Sequence, residues 1–248
     1  MSILGVIGGT GLSRLVNLKQ VHKRVVKTPY GEPSSPLTFG KIEEREVVFL
    51  ARHGYGHTIP PHKINYRANM WALKEVGVTD IVAVAAVGSI NRTMSPGNLV
   101  LPDQLIDYSW GRPSTYFEND LDQVVHIDFT HPYSVRLRAD MLTATQRAKL
   151  TLVDKGVYAC MQGPRLETAA EIKKLARDGC DLVGMTGMPE ASLARELELD
   201  YACCSVVVNW AAGLDGDSID MHDIEAFAES GMLKVEKLIT ALASKGLH

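Results

Sequence analysis

The sequence predicts an α/β fold, and three observations carry the expectation. Short β-rich apolar runs alternate with amphipathic helical segments along the 248 residues. The runs are apolar throughout instead of alternating with polar residues, the pattern of central strands covered on both faces. No linker, repeat or low-complexity stretch interrupts the series, so residues 1–248 are read as one domain.

Strands are expected at Ile3–Ile7, Leu37–Ile42, Glu46–Ala51, Asp80–Val87, Asn98–Asp107, Val157–Met161, Leu182–Gly184 and Tyr201–Val208. Helices are expected at Tyr66–Val76, Tyr133–Ala148, Thr168–Arg177, Pro189–Leu197 and within Asp223–Ser244. In the first helix Ala68, Trp71, Ala72, Leu73 and Val76 form one apolar stripe. Proline- and glycine-bearing stretches at Thr28–Pro33, Pro113-Ser114 and Trp210–Asp217 mark loops.

Composition narrows the function classes. With 46% hydrophobic and 22% charged residues the chain is neither disordered nor collagenous. Lys+Arg 26 against Asp+Glu 29 gives a net charge of −3, which provides no electrostatic footprint for nucleic acid or an anionic membrane. Any bound anion must therefore be caught by a local site. The four cysteines form no C-x-x-C pair and read as buried reduced thiols, not as a disulfide framework or zinc site. The N-terminal apolar run stops at Gly8-Gly9 without a basic region, and the longest apolar stretch, around Ile81–Ile90, is far below the roughly 20 residues that span a bilayer. A cytoplasmic location is the expectation.

Three strand-end motifs carry donors suited to phosphate. Gly8-Gly9-Thr10-Gly11-Leu12 follows the first strand; consecutive glycines let backbone N–H groups converge on an anion, and Thr10 adds a hydroxyl. Position 14 is Arg where a dinucleotide fingerprint has its third glycine, and a tight structural turn explains the same residues. Ala51-Arg52-His53-Gly54 closes another strand. Its arginine is fit for bidentate contact with an oxyanion and its histidine for one further donated bond, although an Arg-His pair also suits a polar loop. Gly184-Met185-Thr186-Gly187-Met188-Pro189-Glu190 runs from a strand into a helix, so that Thr186 and its neighbouring amides face an anion at a helix N-terminus, or Thr186 caps the helix locally. Together the motifs describe one phosphate pocket assembled from distant segments.

These residues, with Thr28–Ser34 and the run His57–Asn69, closely resemble methylthioadenosine phosphorylase. Gln162–Thr168 and Gly184–Glu190 resemble both that enzyme and the trimeric purine nucleoside phosphorylases, and the similarity extends from about residue 4 to about residue 240. The resemblance implies a three-layer α/β/α fold around a central twisted mixed sheet. It also implies phosphorolysis, in which phosphate as co-substrate attacks C1′ of a purine nucleoside without metal or organic cofactor. By the same resemblance Thr10, Arg52, His53, the backbone at Ala86 and Thr186 bind phosphate, while Met185 lies against the ribose. Ala85 stands where the family often has Thr, so a hydroxyl contact is lost there. His126 matches a position that reaches into the neighbouring subunit's site of a homotrimer, or is a simple surface histidine.

The base edge departs from methylthioadenosine phosphorylase. That family reads 6-aminopurines with an Asp after the last core strand, whereas this chain has Asn209, the arrangement of the 6-oxopurine enzymes. An amide donates to O6 while its carbonyl accepts from a protonated N7. Glu167, where the methylthio enzyme has Ser, accepts from the N1–H of hypoxanthine, or is a helix-start carboxylate. Asn209, Glu167 and His53 are thus the expected catalytic residues. Leu166 replaces the usual base-stacking Phe. For the 5′ group, aligning Ile224 with the family's apolar position puts Met221 in the pocket, and a shift of one residue puts His222 there. The substrate expected is a 6-oxopurine methylthionucleoside. Inosine/guanosine phosphorolysis, methylthioadenosine phosphorolysis, a hydrolase and a non-enzymatic sensor are the rival readings.

Overall fold

The computed structural model describes residues 2–9, 18–119, 121–215 and 221–244, the side chain of Met221 excepted. In chain order the strands are β1 (Ile3–Gly8), β2 (Lys19–Arg24), β3 (Leu37–Ile42), β4 (Arg45–Ala51), β5 (Val78–Ser89), β6 (Leu99–Leu101), β7 (Gln104–Asp107), β8 (Leu152–Asp154), β9 (Val157–Cys160), β10 (Leu182–Gly184) and β11 (Asp200–Trp210). The α-helices are α1 (Tyr66–Glu75), α2 (Val135–Arg147), α3 (Ala169–Arg177), α4 (Glu190–Glu196) and α5 (Met221–Ala243). Among the described residues, all eleven strands join one mixed sheet with α-helices on both faces, the three-layer arrangement expected.

Alternation along the pleat divides the core between the two faces. Leu4 and Val6 of β1 pack with Leu137 and Met141 of α2 and Leu238 of α5. Ile7 packs on the opposite face with Met70 and Leu73 of α1 and Leu193 of α4. Against β11, α5 lies close enough that a Cβ on Gly231 would stand 2.1 Å from Cγ1 of Val206. The four cysteines are free and buried, as expected.

Two short strands escaped the sequence reading. β2 is polar and fully exposed along its length, so it has no apolar face to announce it, and β8 has only three residues. The run Asn98–Asp107 is not one strand. It breaks at Pro102-Asp103 into β6, which pairs with β11 and β8, and β7, which pairs with β9. Proline supplies no ladder N–H, and Asp103 turns to Gly156, accepting from its amide at 3.0 Å.

The strand β5 organises the sheet. Along one edge it pairs with β11 over almost its whole length. Along the other it pairs with β1 only as far as Ala83, and with β10 only at Gly88 and Ser89. β1 and β10 thus diverge from the same edge and leave Val84 to Val87 without a strand on that edge. At the opposite end of β5 and β11, a network of Arg45, Asp80, Arg136 and Asp200 fixes the strand starts, with Arg45 to Asp80 and Arg136 to Asp200 both at 2.6 Å.

Candidate active site

The split edge opens a cavity of about 420 Å³. Its floor is Val84 to Gly88, and its walls come from strand ends: Gly9 after β1, Arg52 and His53 after β4, Gly184 to Thr186 at the end of β10, and Asn209 near the end of β11. Ligands of open α/β sheets lodge where strands part in this way. Backbone groups of alternate residues point to the same edge of a strand, and the Val84 carbonyl turns into the gap to accept from Arg52 at 3.0 Å. The N–H of Ala86, two residues on, therefore faces the same opening.

Arg52 is brought beside Gly9 by its own amide, which donates to the Gly8 carbonyl at 2.9 Å and ties the ends of β1 and β4 together. Its guanidinium is buried and meets Glu190 in a two-point pair, Nε to Oε2 and Nη2 to Oε1, both at 2.7 Å. Glu190 is itself fully buried and accepts from the Tyr201 hydroxyl at 2.9 Å. These contacts use three of the five guanidinium N–H groups, leaving one on each terminal nitrogen of a side chain that lines the cavity.

His53 corrects an expectation. Its Nδ1 lies 2.9 Å from the Ile59 carbonyl, and because a carbonyl only accepts, Nδ1 carries the hydrogen. Burial, reinforced by the neighbouring Arg52 charge, pushes its pKa down to about 4. The ring is neutral at pH 7, and its second nitrogen is left as an acceptor, not as the donor anticipated for it. His57 stacks on it with ring centroids 4.3 Å apart and lines the same cavity.

At the other end of the cavity the pairing of β11 with β5 slips: Val207 faces Val87 but Asn209 faces Gly88, so Val208 is an inserted residue. The bulge re-aims Asn209. Its amide donates to the Trp210 carbonyl at 2.7 Å, which leaves one N–H and the side-chain oxygen. Glu167 stands just ahead of α3. There a reciprocal capping box joins Thr168 and Glu171, with Thr168 N donating to Glu171 at 2.7 Å and Glu171 N to Thr168 at 3.1 Å. Burial raises the pKa of Glu167 above the ordinary carboxylate value.

Arg52, His53, Ala86, Met185, Thr186, and with them Leu166, Glu167 and Asn209, all line this one cavity, as does Ile224. Thr10 lies outside the described residues, next in sequence to Gly9, and the side chain of Met221 lies outside them too. His126 is exposed and does not line the cavity within its own chain. Thr186 is not at a helix N-terminus: α4 starts four residues later, at Glu190, and the Thr186 amide donates to the Tyr158 hydroxyl at 3.3 Å. Sequence reasoning quoted Glu190 without giving it a task; its place at the head of a helix in an apolar setting was the available signal. A second cavity of about 460 Å³, between the starts of α2 and β11, is lined in part by Pro132, Val135, Ala191 and Leu199 and contains none of the expected site residues. Among the described residues no three His, Cys, Asp or Glu side chains group as a metal site, and no helix is long and apolar enough to cross a membrane.

One cavity thus brings together a buried arginine with spare N–H groups, an amide side chain and a carboxyl group. The chain belongs to the phosphorylase superfamily, whose model matches residues 3–244. It is 51% identical over 244 residues to a probable S-methyl-5′-thioinosine phosphorylase of Pseudomonas syringae pv. tomato, covering 98% of this chain and 99% of that one. It is 44% identical over 246 residues to a 6-oxopurine nucleoside phosphorylase of Pyrococcus furiosus, covering 97% and 92%. Among solved structures, methylthioadenosine phosphorylase from Schistosoma mansoni in complex with adenine superposes with a TM-score of 0.94 at 31% identity, covering 98% of this chain and 91% of that one.

Proposed function

We propose that the protein catalyses phosphorolysis of a 6-oxopurine 5′-methylthionucleoside, S-methyl-5′-thioinosine, to hypoxanthine and 5-methylthioribose 1-phosphate. The observation that carries the reading is Asn209, an amide and not a carboxylate, lining one cavity with Glu167. A phosphate oxygen bonds to C1′ as the C1′–N9 bond breaks and its electron pair enters the purine, which takes a proton at N7 from solvent water. The Asn209 oxygen accepts from N7–H and its free N–H donates to O6, while Glu167 accepts from N1–H.

Phosphate is held by the two remaining Arg52 N–H groups, the Ala86 amide, Thr186 and Thr10. The acceptor nitrogen of His53 accepts a hydrogen bond from the P–OH of a protonated phosphate, which keeps its proton. No metal or organic cofactor enters this scheme. Met185 and Leu166 provide apolar contact with ribose and base, and Ile224 and Met221 receive the methylthio group. The name of the Pseudomonas relative supports this choice. The Pyrococcus relative favours a second reading, inosine or guanosine as substrate, in which His222 reads a 5′-hydroxyl.

The reading extends to a cytoplasmic homotrimer in which His126 completes the neighbouring subunit's 5′ pocket. Steady-state kcat/KM for methylthioinosine, methylthioadenosine and inosine, each with and without phosphate, tests it. Methylthioinosine should lead, with no product in the absence of phosphate. A preference for methylthioadenosine refutes the role of Asn209, and base release without phosphate identifies a hydrolase. Light scattering that finds an active monomer refutes the trimer.

A further inference from the structure

Arg112 lies in the irregular segment after β7 and has no place in the chemistry just described, yet it is 8% exposed and is the hub of the cavity's supporting bonds. Its Nη2 donates to the carbonyls of Met161 at 3.1 Å and Gln162 at 2.8 Å, beyond the end of β9. Its Nη1 donates to the carbonyl of Met185 at 3.0 Å and to that of Met188, beyond the end of β10. Its Nε donates to the side-chain oxygen of Gln162 at 3.2 Å. Nη1 also lies 3.3 Å from the Tyr66 hydroxyl, which donates to the carbonyl of Pro61 at 3.0 Å, and Pro61 lines the cavity.

Every one of these partners is a carbonyl or hydroxyl oxygen, and among the described residues no ion pair pairs Arg112 with a carboxylate. Arg52, by contrast, has Glu190. A buried cation without a counter-charge is expensive to keep, and it is held here by an array of peptide dipoles that only a planar five-donor fork can engage at once. The two segments it joins are already in close approach: Gly163 has a φ of +62°, and a Cβ there would stand 2.5 Å from the Met185 sulfur.

We propose that Arg112 is a positioning residue that fixes the spacing between two walls of the cavity. One is the Met161–Glu167 segment, which ends in the base-side residues Leu166 and Glu167. The other is the Gly184–Met188 segment, which carries Met185 and Thr186. The inference rests on the reading of the cavity as a joint nucleoside and phosphate site. Neither wall needs Arg112 to hold its own ligand. The attack of phosphate on C1′ needs both walls at a fixed separation, because a misplacement of about 1 Å costs about 100-fold in rate.

The test uses the full-length wild-type protein with Arg112→Lys and Arg112→Met, assayed well below their melting temperatures. In both variants kcat for methylthioinosine phosphorolysis should fall at least tenfold, and toward about 100-fold. Dissociation constants for phosphate alone and for hypoxanthine alone, measured by calorimetry, should stay within about threefold of the wild type, and Lys should not rescue, since one ammonium cannot span both segments. Gln162→Met, which removes a side-chain acceptor and leaves every main-chain carbonyl in place, should lose kcat in the same direction but less; it serves as the readout if the Arg112 variants do not fold. Folded Arg112→Lys with kcat within about threefold of wild type overturns the inference, as does a kcat loss matched by equal losses in both separate affinities. A wild-type protein that releases no base with phosphate present overturns the functional reading itself, and the positioning role with it.

Discussion

Replacing Glu190 by Gln should expose how strongly the cavity-lining Arg52 depends on its buried partner. The carboxylate accepts two guanidinium bonds at 2.7 Å and one from Tyr201 at 2.9 Å, and neither Arg52 nor Glu190 is more than 2% exposed. Gln is nearly isosteric, so no cavity is created, but the charge disappears and the amide NH₂ is turned against one guanidinium N–H. Breaking a buried pair by removing one charge costs about 3–5 kcal/mol. With one acceptor retained, the lower end, about 3 kcal/mol, is expected, or a fall in Tm of about 6–12 °C for a chain of this size. Urea and thermal unfolding followed by tryptophan fluorescence give the number. In the proposed site phosphate would supply the missing anion to Arg52, so the deficit should narrow when the melts are repeated in saturating phosphate. A variant within about 1 kcal/mol of wild type refutes the energetic argument, because that is the worth of an exposed pair. A deficit indifferent to phosphate refutes the placement of Arg52 at the anion.

Other outcomes follow from the same structure. His53 has a folded pKa of about 4, below its ordinary value, so the stability linked to its neutral form is complete above about pH 6.5 and is lost as pH falls from there to about 4. The stability advantage of wild type over His53→Gln should therefore shrink across that window, by at most about 1.4 kcal/mol per pH unit, in urea titrations at several pH values; a constant difference sinks the assignment. Asn209→Asp should move kcat/KM toward 6-aminopurine nucleosides, and a variant that loses activity on every base equally shows that the residue does not read the base edge. Gly231→Ala gains about 1 kcal/mol of helix propensity but drives a methyl group into the buried, β-branched Val206, so a net loss of about 1–2 kcal/mol is expected in chemical denaturation. A neutral or stabilised variant means that α5 shifts freely on the sheet.

Residues buried on both faces of the sheet were legible from the sequence because continuous apolarity has few other causes. Val78–Ser89 and Asp200–Trp210 are the longest strands and were both foreseen to within two residues at each end. Lys19–Arg24 was not, since an exposed edge strand is held by its backbone ladder and leaves no mark on side-chain choice. The site divides in the same way. Donors at strand ends, such as Arg52 and Asn209, are visible because their type and position already state a chemistry. Glu190 and Arg112 were not given roles: the first acts on a residue 138 positions away, and the second serves main-chain carbonyls that have no sequence signature. The His53 proton was misjudged for a related reason, because the Ile59 carbonyl that fixes its tautomer is set by the turn and not by residue type.

The inserted Val208 has a consequence for how the base preference of such a protein could change. Val207 and Val208 are buried, and the extra residue between the Val87 and Gly88 partners separates the side chain at 209 from the in-and-out rhythm that packs the rest of the strand. In the proposed reading, a substitution at 209 alters what the cavity recognises while the buried Val207 and Val208 keep their places. If Asn209 reads the base as proposed, specificity rests on a mutational hinge, one residue wide, in a strand whose neighbouring positions are constrained by packing.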